Sequence, residues 1–111
     1  MLFRSKTVIH LEENEGGIVS FQKIDKKAWF SVRGILSYRD NPKESYKIKS
    51  ADLIDNEWIR NKEIELDISD NGWDSEMVAY PYVIKENNKL IMFYNGNGFG
   101  KTGIGYAVKT I

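Results

Sequence analysis

The chain has 111 residues, the size of one ordinary domain, and its 41% hydrophobic and 13% aromatic content supports a packed core and excludes a disordered chain. Sixteen Lys and Arg balance sixteen Asp and Glu; zero net charge argues against a nucleic-acid binder, which carries a basic excess, and leaves little repulsion between copies. With no cysteine, and with His10 as the single histidine, disulfides, thiolate metal sites and two-histidine metal motifs are excluded, so no metal or cofactor is expected.

Met1 to His10 carries Arg4 and Lys6 but no apolar run long enough for a signal peptide or a membrane span, so no membrane partner and a cytoplasmic location are expected. Thr7-Val8-Ile9-His10 is short and β-branched. Beyond it the apolar spacing predicts strands over 17–24, 27–33, 45–52, 76–85, 89–95 and 102–110. The first two are joined across Asp25-Lys26-Lys27, and the fourth and fifth across the polar loop Lys85-Glu86-Asn87-Asn88-Lys89, both hairpin signals. No window carries an i, i+3, i+4, i+7 apolar stripe; Ile64, Leu66 and Ile68 sit at period two. The fold class expected is all-β.

An internal repeat organises these strands. Ile24 falls on Ile84, Trp29-Phe30-Ser31 on Phe93-Tyr94-Asn95, and Ile48-Lys49-Ser50-Ala51 on Ile104-Gly105-Tyr106-Ala107. Each copy reads as an apolar strand, a polar hairpin, an aromatic strand, a glycine-containing loop and an Ile-x-x-Ala strand. A tandem antiparallel unit of this kind suits a propeller blade; a single two-sheet sandwich with similar hairpins is the alternative.

Gly72-Trp73-Asp74-Ser75-Glu76-Met77-Val78-Ala79-Tyr80-Pro81-Tyr82-Val83-Ile84, followed by Met92 to Gly103, strongly resembles the C-terminal blade of the arabinanase/levansucrase/invertase-like superfamily, which includes glycoside hydrolases of families 43 and 32. Glu15-Gly16-Gly17-Ile18, Trp29 to Gly34, and Tyr46-Lys47-Ile48 through Trp58 look more loosely like the preceding blade. The resemblance implies a single partial domain over 1–111, about two blades of a five-bladed β-propeller, with blade-like repeats near 1–60 and 61–111. It departs at Ser20-Phe21, where the family pattern usually has Arg-Pro. In such enzymes the catalytic carboxylates come from different blades, so the resemblance also implies an incomplete set here.

Among carboxylates, Glu76 is the candidate acid and Asp74 its companion. On a strand running from Ser75 to Ile84, residues two apart share a face, and glycosidic cleavage needs two carboxyl groups flanking the bond. The plain reading is that both are solvated at the start of the strand. Arg33, Tyr38 and Arg39 form a polar-aromatic group suited to sugar hydroxyls or a carboxylate, although loop arginines are more often simply exposed. Tyr80 and Phe99 are the aromatic candidates for a ligand surface, while the remaining aromatics read as core. Asn95 and Asn97 offer amide hydrogen bonds. The run Gly96 to Thr102 superficially suggests a phosphate loop, but a strand and not a helix is expected to follow it, and phosphate loops feed a helix N-terminus.

These residues point to a carbohydrate ligand, bound or cleaved by a glycoside-hydrolase-like propeller of which this chain is an inactive part. The alternative is a non-catalytic β module for sugar binding or assembly. Because each blade packs on two neighbours, two blades are expected to leave two faces uncovered, one on the blade of Trp29 and one on that of Phe93. A homodimer or higher oligomer is expected to cover them.

Overall fold

A computed structural model describes residues 2–111. The fold is all-β, in two antiparallel sheets. The first has the order β1-β2-β3-β4, with β1 Gly17–Ile24, β2 Lys27–Arg33, β3 Lys47–Ile54 and β4 Glu57–Arg60. The second has the order β5-β6-β7, with β5 Ala79–Glu86, β6 Lys89–Asn95 and β7 Ile104–Thr110. Strand β4 was not expected from the sequence; β5 begins three residues later than expected and β7 two. Among the described residues, no helix is long and apolar enough to cross a membrane.

The ladders keep the register of the sequence repeat. Phe30 pairs with Lys49 and Tyr94 with Gly105; Ser31 pairs with Ile48 and Asn95 with Ile104. Each first strand also carries a bulge at the matching place, between Val19 and Gln22 and between Ala79 and Tyr82. Within the bulges Ser20 (φ 65°) and Tyr80 (φ 58°) are left-handed, a conformation that non-glycine residues adopt where a bulge re-aims the chain.

The sheets pack through β1 and β2 against β5. Trp29 (2% exposed), Ile48, Val78, Val83 and Tyr94 form the shared core, with Ile24, Leu66, Trp73, Leu90, Met92 and Ala107 around it. The Gln22 side chain accepts from the Val83 N–H and donates to the Val83 carbonyl (2.6 Å), and Ser31 Oγ accepts from the Tyr80 N–H (2.7 Å). Side chains of the first sheet thereby satisfy backbone groups on the free edge of β5, which a strand edge otherwise leaves open.

The far face of the first sheet is covered, contrary to the expectation of two open faces. Phe30, Val32 and Ala51 are buried there, with Ile9, Ile18 and Trp58 packed on them. Residues 9–16 carry no regular structure but lie across this face, held by Glu15, which pairs with Lys49 (2.7 Å) and Arg60 (2.6 Å). Among the described residues, none covers the outer face of the second sheet in this way. Tyr82, Phe93 and Tyr106 stand in one cross-strand row, and Ile84, Ile91 and Val108 in the next.

Candidate functional site

Short hairpins, at Asp25-Lys26, Asp55-Asn56 and Asn87-Asn88, close one end of both sheets. At the opposite end three longer connections converge: 34–46 between β2 and β3, 61–78 between β4 and β5, and 96–103 between β6 and β7. Long loops on a rigid scaffold are where binding chemistry concentrates.

Between these connections lies an open cleft of about 420 Å³, lined by Tyr38, Arg39, Asp40, Asn41, Pro42, Ser45, Glu76, Met77, Asn97, Gly98, Phe99, Lys101 and Thr102. That volume lies within the usual range of small-ligand sites, roughly 300–1,000 Å³. The structure thus brings together Tyr38, Arg39, Glu76, Asn97 and Phe99 from three separate loops. Asp40, Ser45 and Lys101 were missed; the Asn41-Pro42 turn signal that folds Asp40 back onto the cleft was present in the sequence.

Each wall has an identifiable support. Lys47 Nζ donates to the carbonyls of Pro42 (2.6 Å) and Ser45 (3.1 Å) and so fixes the 42–45 wall; burial lowers its pKa, against the opposing pull of Asp67 and Glu44. On the other wall, Gly98 (φ 64°) and Phe99 (φ 58°) make a left-handed turn that presents the Phe99 ring. A four-residue helical turn, α1 Asn97–Gly100, is broken by these two left-handed residues, and strand β7 follows it, so the loop feeds a strand. Tyr46 lies between the walls, edge-on to Tyr38 (6.0 Å) and Phe99 (5.9 Å) and tilted against Tyr80 (6.4 Å). The Arg39 guanidinium sits 5.1 Å from the Tyr38 ring and 6.0 Å from the Phe99 ring.

Asn97 acts as a latch. Its Oδ1 accepts from the backbone N–H groups of Glu76 (2.7 Å) and Met77 (3.1 Å), and its Nδ2 donates to the Gly72 carbonyl (3.2 Å). The side-chain amide therefore substitutes for ladder hydrogen bonds, and β5 starts only at Ala79. Asn97→Ala is expected to leave two N–H groups without their acceptor and to cost about 2 kcal/mol. Urea unfolding measures this, and a loss below about 0.5 kcal/mol would show that water replaces the amide at no cost.

The late start of β5 separates the two candidate carboxylates, which the sequence placed on one face. Glu76 is exposed on the cleft. Asp74 is buried away from it and accepts from the Tyr94 hydroxyl (2.8 Å). Burial and the Asp74 hydrogen bond and charge push the Tyr94 hydroxyl up to about 12, so it stays a donor to Asp74. Trp73 stacks on Tyr94 (5.2 Å) and fills the space between Gly96 and Gly105, where an added Cβ would lie 2.3 Å and 2.4 Å from its ring.

Three more candidates stand outside the lining. Arg33 stacks on the outer side of Tyr38 (4.2 Å) and donates to the Gly34 carbonyl (3.0 Å), buttressing that ring. Tyr80 reaches the cleft only through Tyr46, and Asn95 ends β6 with its amide against Gly100. Among the described residues, Glu76, Arg39 and Lys101 have no salt-bridge partner within 4.0 Å, and no group of three His, Asp or Glu stands ready to hold a metal ion.

Two curated proteins resemble the chain. They are the uncharacterized proteins MT1551 and Rv1502 of Mycobacterium tuberculosis strains CDC 1551/Oshkosh and ATCC 25618/H37Rv. Each is 34% identical over 84 residues, covering 74% of this chain and 25% of the relative. The chain therefore spans about a quarter of the length of the curated relatives it matches. No protein-family model matches it.

Proposed function

We propose that the cleft is a glycoside-binding site, and that the two sheets are blades of a carbohydrate-active propeller that is larger than this chain. The supporting observation is the cleft itself. An exposed carboxylate, Glu76, faces the same space as the Arg39 guanidinium and the aromatic rings of Tyr38 and Phe99. A sugar ring offers hydroxyls to the charged groups and a C–H face to the rings. The repeat register supports the blade reading, because each sheet is the same unit packed on the next.

Binding without turnover is the expected behaviour of this chain. Hydrolysis needs an acid and a second carboxylate at a set separation across the bond. Asp40 is the other carboxylate on the lining, but it sits on an exposed loop with no partner that would fix it. Titration with arabino- and fructo-oligosaccharides, followed by NMR, is expected to shift the resonances of Phe99 and Asn97 at millimolar ligand. Phe99→Ala is expected to weaken binding about fivefold, the loss of roughly 1 kcal/mol of ring contact. Shifts that survive both Phe99→Ala and Glu76→Gln would place binding elsewhere, and the absence of shifts with every sugar would reject a glycoside site. Turnover of an aryl arabinoside, abolished in Glu76→Gln and Asp40→Asn, would show that the cleft is catalytic after all.

A further inference from the structure

We infer that the ligand of the cleft is an acidic sugar, whose carboxylate is held by Arg39 and Lys101 while its hydroxyls face Glu76. The inference rests on the reading of the cleft as a glycoside site and narrows that reading to one class. The charges of the lining identify the class. Arg39 and Lys101 line the same space as Asp40 and Glu76. Among the described residues, none of these four has a salt-bridge partner within 4.0 Å. Two acids and two bases thus share one cleft without neutralising one another, and each sign of charge faces the ligand space.

Arg39 is the better prepared of the two cations. Its guanidinium sits 5.1 Å from the Tyr38 ring and 6.0 Å from the Phe99 ring. That aromatic seat is itself held: Arg33 stacks on Tyr38 at 4.2 Å, and Tyr46 meets both rings edge-on. A guanidinium seated on rings loses less freedom when it binds, and its planar fork matches a carboxylate through two parallel N–H···O bonds. Lys101 belongs to the same tight turn as Phe99. Its backbone N–H donates to the Gly98 carbonyl (3.2 Å), and its Cβ lies 3.0 Å from where a Cβ on Gly98 would stand. The Arg39 guanidinium at Phe99 and the stem of Lys101 therefore share one wall of the cleft.

The acids on the lining decide which anion fits. A phosphate carries close to two negative charges at neutral pH, and Asp40 and Glu76 repel each of them. A carboxylate carries one, so it gains the Arg39 fork against half that repulsion. The same charges set the direction of the sugar. Its carboxylate is drawn to Arg39 and driven from Glu76, which leaves the hydroxyls to donate to the Glu76 carboxylate. A neutral sugar makes the second set of contacts only.

Titration with methyl glucuronide and with methyl glucoside, followed by NMR, tests the inference, because the two differ only in a carboxylate against a hydroxymethyl group. The glucuronide is expected to bind at least about tenfold more tightly, the order of effect of one charge-assisted bidentate pair. Arg39→Gln is expected to cut that preference to about twofold or less, and Arg39→Lys, which keeps the charge and loses the fork, to leave roughly threefold. Both side-chain changes fall at an exposed loop position, so the melting curve is expected to be retained. Equal affinity for the two glycosides would overturn the inference, and so would a preference that survives Arg39→Gln. A glucose phosphate that binds more tightly than the glucuronide would overturn the choice of carboxylate. If neither glycoside shifts resonances while arabino- or fructo-oligosaccharides do, the sugar reading stands and the acidic ligand is rejected; if no sugar does, both fall.

Discussion

Trp29→Ala is expected to destabilise the protein by about 3–5 kcal/mol, the usual cost of removing a large buried aromatic. A domain of this size has a total stability of roughly 5–15 kcal/mol, so the variant should be near the edge of folding at room temperature. The ring is 2% exposed and lies where both sheets meet, between Ile48 and Val83. Its Nε1 also donates to Glu65 Oε1 (3.2 Å). Burial by itself would raise the pKa of Glu65; the Lys27 charge, this hydrogen bond and the Lys109 charge outweigh it and hold the carboxylate ionised. The alanine variant leaves a cavity and removes one donor from a half-buried carboxylate, two costs of the same sign. Phe21, half exposed and edge-on to Trp58 (5.6 Å), provides the contrast; Phe21→Ala is expected to cost below about 1 kcal/mol. Urea unfolding of both variants measures the difference. A Trp29→Ala loss below about 1.5 kcal/mol would mean that the two sheets do not share one core.

That core was legible in the sequence because β-strands announce themselves at period two, and because the same unit occurs twice. Six of the seven strands follow from apolar spacing, and the correspondence of Trp29-Phe30-Ser31 with Phe93-Tyr94-Asn95 survives as ladder register. Strand β4 escaped because four residues, Glu57–Arg60, are too short to display a period. Its signal lay in the turn instead: Asp55 (φ 51°) and Asn56 (φ 65°) are both left-handed, as a two-residue hairpin requires. Thr7 to His10 shows the opposite case. It is β-branched but pairs with no strand, and Ile9 packs as a plug on the first sheet.

The site was legible in part, for a related reason. Periodicity says which residues share a face only inside a regular strand, and Asp74 and Glu76 lie just before one. What fixes them are distant side chains: the Asn97 amide, which takes the place of a neighbouring strand at Glu76, and the Tyr94 hydroxyl, which holds Asp74. Residue types alone drew attention to Tyr38, Arg39, Glu76, Asn97 and Phe99, which the fold brings to one cleft. They gave no means of telling Arg33, which supports a ring from behind, from Arg39, which faces the open space.

Glu15→Gln is expected to cost about 3 kcal/mol at pH 7 and almost nothing near pH 2. The Glu15 side chain is 6% exposed and that of Arg60 10%. Burial, the largest influence on this carboxyl, would raise its pKa. Hydrogen bonds from Arg60, the Glu12 N–H and Lys49, with the Arg60 charge, outweigh burial and bring it from 4.5 to about 2. A folded-state pKa below the unfolded one means that the unfolded chain binds more protons in the interval between them. The stabilisation is therefore complete above about pH 4.5 and is lost as the pH falls through about 2. A shift of this size corresponds to roughly 3 kcal/mol, at about 1.36 kcal/mol per unit. The glutamine variant also leaves the Arg60 charge in a site where its Nε already has no hydrogen-bond partner, the costly way to break a buried pair. Urea unfolding of wild type and Glu15→Gln at pH 3, 5 and 7 should show curves that converge as the pH falls; a gap independent of pH would mean that ionisation of Glu15 contributes nothing. The same substitution loosens residues 9–16 from the first sheet and uncovers Phe30 and Val32. A newly uncovered apolar face favours association. Light scattering of Glu15→Gln at pH 7 is therefore expected to reveal association beyond that of the wild type, and a variant that matches the wild type would show that residues 9–16 stay in place without the Glu15 charge.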